Sequence, residues 1–176
     1  MTAANEKIIV AGGRKLGGEV RISGAKNSVL PIIVATLLSD GECVLEDVPR
    51  LADVEIINDV LSSLGAAISQ EGNVLVVNGA LVNKTEAPRE YIQRMRASVL
   101  IMGPLLARFG RAVLSLPGGC AIGARPIDLH LKGLEMLGAT VQIRDDEVVA
   151  EVPGGRLIGT DIFLRVPSVG ATENLI

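Results

Sequence analysis

The chain has 176 residues, a formal charge of −3 and a pI near 5.2, so it carries no electrostatic footprint for nucleic acid or for an anionic membrane surface. It is 48% hydrophobic with mean hydropathy +0.43, which excludes a disordered chain and supplies a sizeable core. Aromatics are only 2% (Tyr91, Phe109 and Phe163), too few for a platform on which single-stranded bases stack.

The first ten residues carry charges and no apolar run, so they do not read as a signal peptide. Residues 8–10 and 19–22 read as strands. Residues 27–38 read as a helix with Pro31 near its start, where proline is tolerated. The uncharged run 27–39 is 13 residues long, shorter than the roughly 20 that span a bilayer. Residues 42–46 alternate polar and apolar, as a half-buried strand does. Residues 54–64 place Val54, Ile57, Val60, Leu61 and Leu64 at helical spacing, with Gly65 as a natural stop. Strands at 67–69 and 74–77 follow, joined by Gln70-Glu71-Gly72-Asn73 as a hairpin. The series then starts again: a helix over 97–108, a strand over 112–116, a helix over 126–137, and strands over 140–143 and 147–152.

Leu64-Gly65-Ala66 recurs as Leu137-Gly138-Ala139, 73 residues on, and Lys26-Asn27-Ser28-Val29-Leu30 as Arg96-Ala97-Ser98-Val99-Leu100, 70 residues on. A further 70 residues on stands Ser168-Val169. Such spacing marks an internal repeat of helix–strand–helix–strand–strand type. The expected class is α/β (α+β), with units at about 21–85 and 86–154 and a third, truncated, from about 155. The chain therefore reads as cut within a larger protein.

The densest chemical signal is the loop Pro117-Gly118-Gly119-Cys120-Ala121-Ile122-Gly123-Ala124-Arg125-Pro126. It runs from a strand into a helix, beside a cation. That setting lowers a thiol's pKa, while the plainer reading is an inert, small buried residue. Cys43 sits in a strand and reads as buried. Two cysteines make no disulfide framework, and one histidine with no CxxC spacing makes no zinc site. Lys26 and Arg96 stand at equivalent helix starts, where a cation opposes the helix dipole. Twice repeated, that placement suits an anion cradle as well as it suits two solvated cations. Asp128 suits a helix start electrostatically, and His130 reads as structural.

The segments Ser23-Gly24-Ala25-Lys26-Asn27, Met95-Arg96-Ala97-Ser98, the stretch from Ser115 through the cysteine loop to His130, and Pro167-Ser168-Val169-Gly170-Ala171-Thr172-Glu173-Asn174 together resemble the enolpyruvyl transferase family. The resemblance covers essentially the whole chain and is to the branch that uses a nucleotide sugar. It implies two domains of repeated units, each an inside-out α/β barrel, with the active site between them. Residues 1–20 would pack in the other domain, and 21–176 would form an incomplete first domain. The implied reaction moves enolpyruvate from phosphoenolpyruvate to the 3-hydroxyl of UDP-N-acetylglucosamine and releases phosphate, as the first committed step of peptidoglycan synthesis in the cytoplasm. By resemblance, Cys120 is catalytic, as the proton donor and the residue that fosfomycin alkylates. Lys26, Asn27, Cys120 and Arg125 match phosphoenolpyruvate contacts. Arg96, Arg125, Pro126, Ile127, Asp128, Leu129, Val166, Pro167, Ser168 and Val169 match contacts to the nucleotide sugar. The resemblance implies no metal, no cofactor, no nucleic acid and no membrane partner, and it assigns a general base to a second domain of the same polypeptide. The alternatives are a non-catalytic anion- or nucleotide-sugar-binding fragment, or a relative of the shikimate-pathway transferase, against which Cys120 speaks.

Overall fold

The computed structural model of the chain describes residues 7–116 and 127–176. In chain order these form α1 (Lys26–Ala35), β1 (Glu42–Leu45), α2 (Ala52–Ser63), β2 (Ala67–Glu71), β3 (Val74–Asn78), α3 (Arg89–Ile92), α4 (Met102–Phe109), β4 (Arg111–Ser115), α5 (Asp128–Met136), β5 (Thr140–Arg144), β6 (Glu147–Glu151) and α6 (Val169–Leu175). The architecture is mixed α/β with antiparallel sheets.

The six strands make two three-stranded sheets with the same layout. In each, the last strand lies in the middle: β1-β3-β2 and β4-β6-β5. The pairing runs from Glu42 opposite Asn78 to Leu45 opposite Leu75 in the first sheet, and from Arg111 opposite Glu151 to Ser115 opposite Glu147 in the second. The central strands alternate as a one-sided sheet requires. Leu75 and Val77 in β3, and Val148 and Ala150 in β6, face the core, while Val44 and Ile143 remain more than half exposed. Both hairpins turn on two residues, Gly72-Asn73 and Asp145-Asp146, so the strands run further toward each other than the four-residue connection expected for the first. Asp145 and Asp146 both adopt positive φ (49° and 63°), the geometry of a type I′ hairpin turn that Asp tolerates better than most residues.

Helix faces fill one continuous core, with Ile33, Leu37, Ile57, Leu61, Leu64, Ile101, Met102, Leu105, Leu106 and Leu134 fully buried. The two units are stitched at several points. Val113 of β4 donates to the Thr85 carbonyl at 2.8 Å. Arg108 of α4 reaches back to the carbonyls of Leu37 and Gly79, at 2.9 and 2.7 Å. Gly110, in the left-handed region at φ 69°, ends α4 and lets β4 follow at once.

Three expectations need correction. Residues 8–10 and 19–22 are not strands. They form no regular element and join no ladder, and Ile8, Ile9, Val10, Val20 and Ile22 are 81–95% exposed. A β-prone run becomes a strand only where a partner offers backbone groups, and none of the described residues does so here. The first helix starts at Lys26, so Pro31 lies in its second turn and cannot donate to the Asn27 carbonyl; past Ala35 the helix tightens to a 3-10 turn over Thr36–Leu38. The second-unit helix is likewise split, with a 3-10 segment over Arg96–Ile101 leading into α4, because Pro104 has no N–H to give to the Leu100 carbonyl. No helix among the described residues is long and apolar enough to cross a membrane.

Candidate functional site

Two polar groupings stand out, each at helix starts. The first is built on α1. Ala25 at its N-cap offers no side-chain acceptor, and the first turn holds no acid. The first ladder bonds are those of Ser28 and Val29 to the Ala25 carbonyl, so the N–H groups of Lys26 and Asn27 lie ahead of the ladder. The entry to this helix is tightly fixed. A Cβ on Gly24 would stand 2.4 Å from the Asp47 carbonyl oxygen, so only glycine allows this approach. Asp47 itself accepts from Arg21 and from Asn73, both at 2.8 Å. Lys26 Nζ lies 2.5 Å from Asp53 Oδ2, in the first turn of α2. Asn27, beside it, is exposed.

The second grouping joins α5 to α6. Asp128 opens α5, where the dipole favours an acid, and forms an ion pair with Arg165. Residues 127–129 and 166–169, separated in sequence by almost 40 positions, are thus held together. Ile127 is buried, Asp128 and Leu129 are half-buried, and Val166, Pro167 and Val169 are exposed. Ser168 caps α6 by accepting from the Ala171 N–H at 3.3 Å. Below this surface Asn174 ties three elements together. Its Oδ1 accepts from Gly103 N–H at 3.0 Å, and its Nδ2 lies 3.4 Å from the Val99 carbonyl and 3.1 Å from His130 Nδ1. His130 is buried, with Gly170 packed over its ring.

The 3-10 segment that begins at Arg96 packs against both α1 and α6, so it lies between the two groupings. Cys120, Arg125 and Pro126 lie outside the described residues, as does the Arg96 side chain. Ser115, the last residue of β4, leads toward the cysteine loop, and Leu116 N–H is bound to the Asp146 carbonyl at 2.7 Å. A cavity of about 550 Å³ opens between α1, α4, α5, α6 and residues 157–164. Its lining is mostly apolar, including Val34, Leu100, Leu134 and Leu164; Asn174 borders it, and none of the residues that the resemblance matches to substrate contacts does. Sequence reasoning missed Asp53, Arg165 and Asn174. Asp53 had one visible signal, an acid in a helix's first turn; its pairing with Lys26 depends on how α1 and α2 pack.

Comparison with known proteins decides the family. The model for EPSP synthase (3-phosphoshikimate 1-carboxyvinyltransferase) matches residues 10–176. The chain belongs to this family of enolpyruvyl transferases. Among its relatives, UDP-N-acetylglucosamine 1-carboxyvinyltransferase 1 of Halalkalibacterium halodurans is 56% identical over 172 residues, 97% of this chain and 39% of the relative. UDP-N-acetylglucosamine 1-carboxyvinyltransferase of Desulfatibacillum aliphaticivorans is 53% identical over 171 residues, 97% of this chain and 41% of the relative. The chain thus spans about two fifths of the length of the curated relatives it matches. Among solved structures, the enolpyruvyl transferase NikO of Streptomyces tendae superposes with a TM-score of 0.69 at 23% identity, covering 84% of this chain and 32% of that one. EPSP synthase of Acinetobacter baumannii superposes with a TM-score of 0.68 at 18% identity, covering 90% and 37%. At these identities the solved structures establish the enolpyruvyl transferase fold.

Proposed function

We propose that this chain is the substrate-binding part of a UDP-N-acetylglucosamine 1-carboxyvinyltransferase. The carrying observation is the 56% identity to a relative of that name over 97% of the chain. The reaction transfers enolpyruvate from phosphoenolpyruvate to the 3-hydroxyl of UDP-N-acetylglucosamine, in the cytoplasm, and releases phosphate. Residues 1–20 pack in a second domain, and 21–176 belong to the first.

The chemistry suits the residue types. A vinyl carbon bearing phosphate becomes electrophilic only when its neighbour carbon is protonated, so the transfer needs a positioned acid, and the Cys120 thiol serves. The sugar hydroxyl then attacks that carbon. Loss of phosphate and of a proton restores the double bond. Both substrates are polyanions, which Lys26, Arg96 and Arg125 complement. Lys26 and Asn27 hold phosphoenolpyruvate together with Arg125. Arg96, residues 125–129 and residues 166–169 hold the nucleotide sugar. The pairing of Asp128 with Arg165 supports this reading, since it joins two of these segments into one surface.

The test is intact-mass analysis after incubation with fosfomycin, with and without UDP-N-acetylglucosamine. One adduct, mapped to Cys120 and absent from Cys120→Ser, is expected. A folded chain that takes no adduct under either condition would overturn the reading. Because the chain spans about two fifths of its relatives, phosphate release is expected only from a hybrid in which residues 1–176 replace the matching segment of the H. halodurans relative.

A further inference from the structure

We propose that Asp53 is a positioning residue for the anion site at Lys26, an inference that rests on the reading of Lys26 as a phosphoenolpyruvate contact. Lys26 is the first residue of a helix that offers it no local acid. A cation at that position opposes the positive end of the helix dipole. Asp53 comes from a different helix, and it holds that ammonium in place at 2.5 Å. The two side chains differ in exposure. Asp53 is 29% exposed and Lys26 is 52% exposed, so the carboxylate is the set-back partner and the ammonium is the presented one. An ammonium has three N–H donors, and one bond to Asp53 leaves two for a substrate oxyanion.

The framework behind the pair is packed and hydrogen-bonded. α1 and α2 pack on each other, and Val29 and Ile33 of α1 and Val54 and Ile57 of α2 are buried. The loop between β1 and α2 is pinned by Asp47 to Arg21 and Asn73, and Gly24 nests on the Asp47 carbonyl. Asp53 acts through Lys26. It removes the rotamer freedom of a long side chain before the anion arrives, which is the cost that binding would otherwise bear. A second consequence has the opposite sign: Asp53 is an anion near an anion site and repels the ligand. Positioning outweighs repulsion if removal of the charge weakens binding, and this decides the test.

The experiment uses the 176-residue chain labelled with ¹⁵N-lysine and titrated with phosphoenolpyruvate. In the parent, the Lys26 ammonium is expected to relax as an ordered group, unlike exposed Lys84 and Lys132, and its signal to shift with ligand. In Asp53→Asn, the Lys26 signal becomes as mobile as those two, and the dissociation constant rises about tenfold, the factor for immobilising one rotamer-rich side chain. Asp53→Glu, which keeps the charge and can reach the same ammonium, restores affinity to within about threefold of the parent. Asp59→Asn, on the same helix but paired with Arg94, leaves affinity unchanged. A merely structural role would lower the melting temperature without releasing Lys26 and would not be rescued by glutamate. Equal or tighter binding by Asp53→Asn overturns the positioning role and leaves Lys26 as a ligand. A parent whose Lys26 signal ignores phosphoenolpyruvate overturns the site reading, and the positioning role with it.

Discussion

Replacing Gly103 with alanine sets two effects of opposite sign against each other, so its outcome tests how α6 is held. Gly103 is the second residue of α4, and alanine there improves helix propensity by about 0.8–1.0 kcal/mol. The structure leaves no room for the methyl group. Its carbon would stand 2.5 Å from the Asn174 carbonyl oxygen and 2.7 Å from Asn174 Oδ1. Ordinary carbon–oxygen contact needs more space, so α6 must retreat. Retreat breaks the 3.0 Å bond from Gly103 N–H to Oδ1 and draws Nδ2 from Val99 and His130. Leaving one buried donor and one buried acceptor unpaired costs about 1–3 kcal/mol each. Against the propensity gain, the net loss is about 2 kcal/mol, or roughly 4–8 °C in melting temperature for a chain of this size. Urea denaturation with an unchanged m-value measures it. In an Asn174→Ala background the loss should shrink, because the clash with Oδ1 and the bond are gone, but not vanish, because the backbone carbonyl oxygen of residue 174 still stands 2.5 Å from the methyl position. A stabilised Gly103→Ala protein would refute the close approach of α4 and α6.

Two further outcomes follow from the same contacts. Arg108→Met keeps the stem that packs below the guanidinium and removes two bonds to the carbonyls of Leu37 and Gly79; a loss of about 3 kcal/mol in urea unfolding is expected, since these partly buried, charge-assisted bonds join the two units. Arg165→Ala breaks an exposed pair with Asp128 and should move the melting temperature by less than about 2 °C, because exposed ion pairs contribute little; a larger drop would show that the pair carries the packing of α5 on α6.

Periodicity made most of the fold legible. Residues such as Ile57, Leu61, Leu75 and Val77 carry their burial in their spacing, and strand alternation placed both hairpins. The expected strands that failed needed knowledge of a partner. Residues 8–10 and 19–22 have strand composition, yet strand formation belongs to a pair of segments and not to one. The 3-10 start of the second-unit helix follows from Pro104, which removes an N–H from the ladder and was visible in the sequence. The site divides in the same way. Lys26 and Asp128 were singled out as charged residues at helix starts, and Ser168 through the repeat and the family resemblance. Asp53, Arg165 and Asn174 were missed because each acts on a residue from another element, at separations of 27, 37 and 71–75 positions.

The internal repeat sharpens one last contrast. Ser28, Ser98 and Ser168 stand at equivalent positions 70 residues apart, and the structure gives them three different uses. Ser28 is exposed, and Ser168 caps α6. Ser98 is fully buried, and its hydroxyl has no hydrogen-bond partner among the described residues. A buried hydroxyl without a partner costs about 1–3 kcal/mol of desolvation. Ser98→Ala removes that cost and leaves a gap of one oxygen atom, too small to lose much packing. The variant should therefore be as stable as the parent or more stable by about 1 kcal/mol in urea unfolding. Ser168→Ala, the same change one repeat on, should cost about 1 kcal/mol through the lost cap. Equal losses at the two positions would show that repetition, not local environment, sets what these serines contribute. Opposite signs would show that the local environment, a cap at Ser168 and a buried hydroxyl at Ser98, sets what equivalent serines contribute.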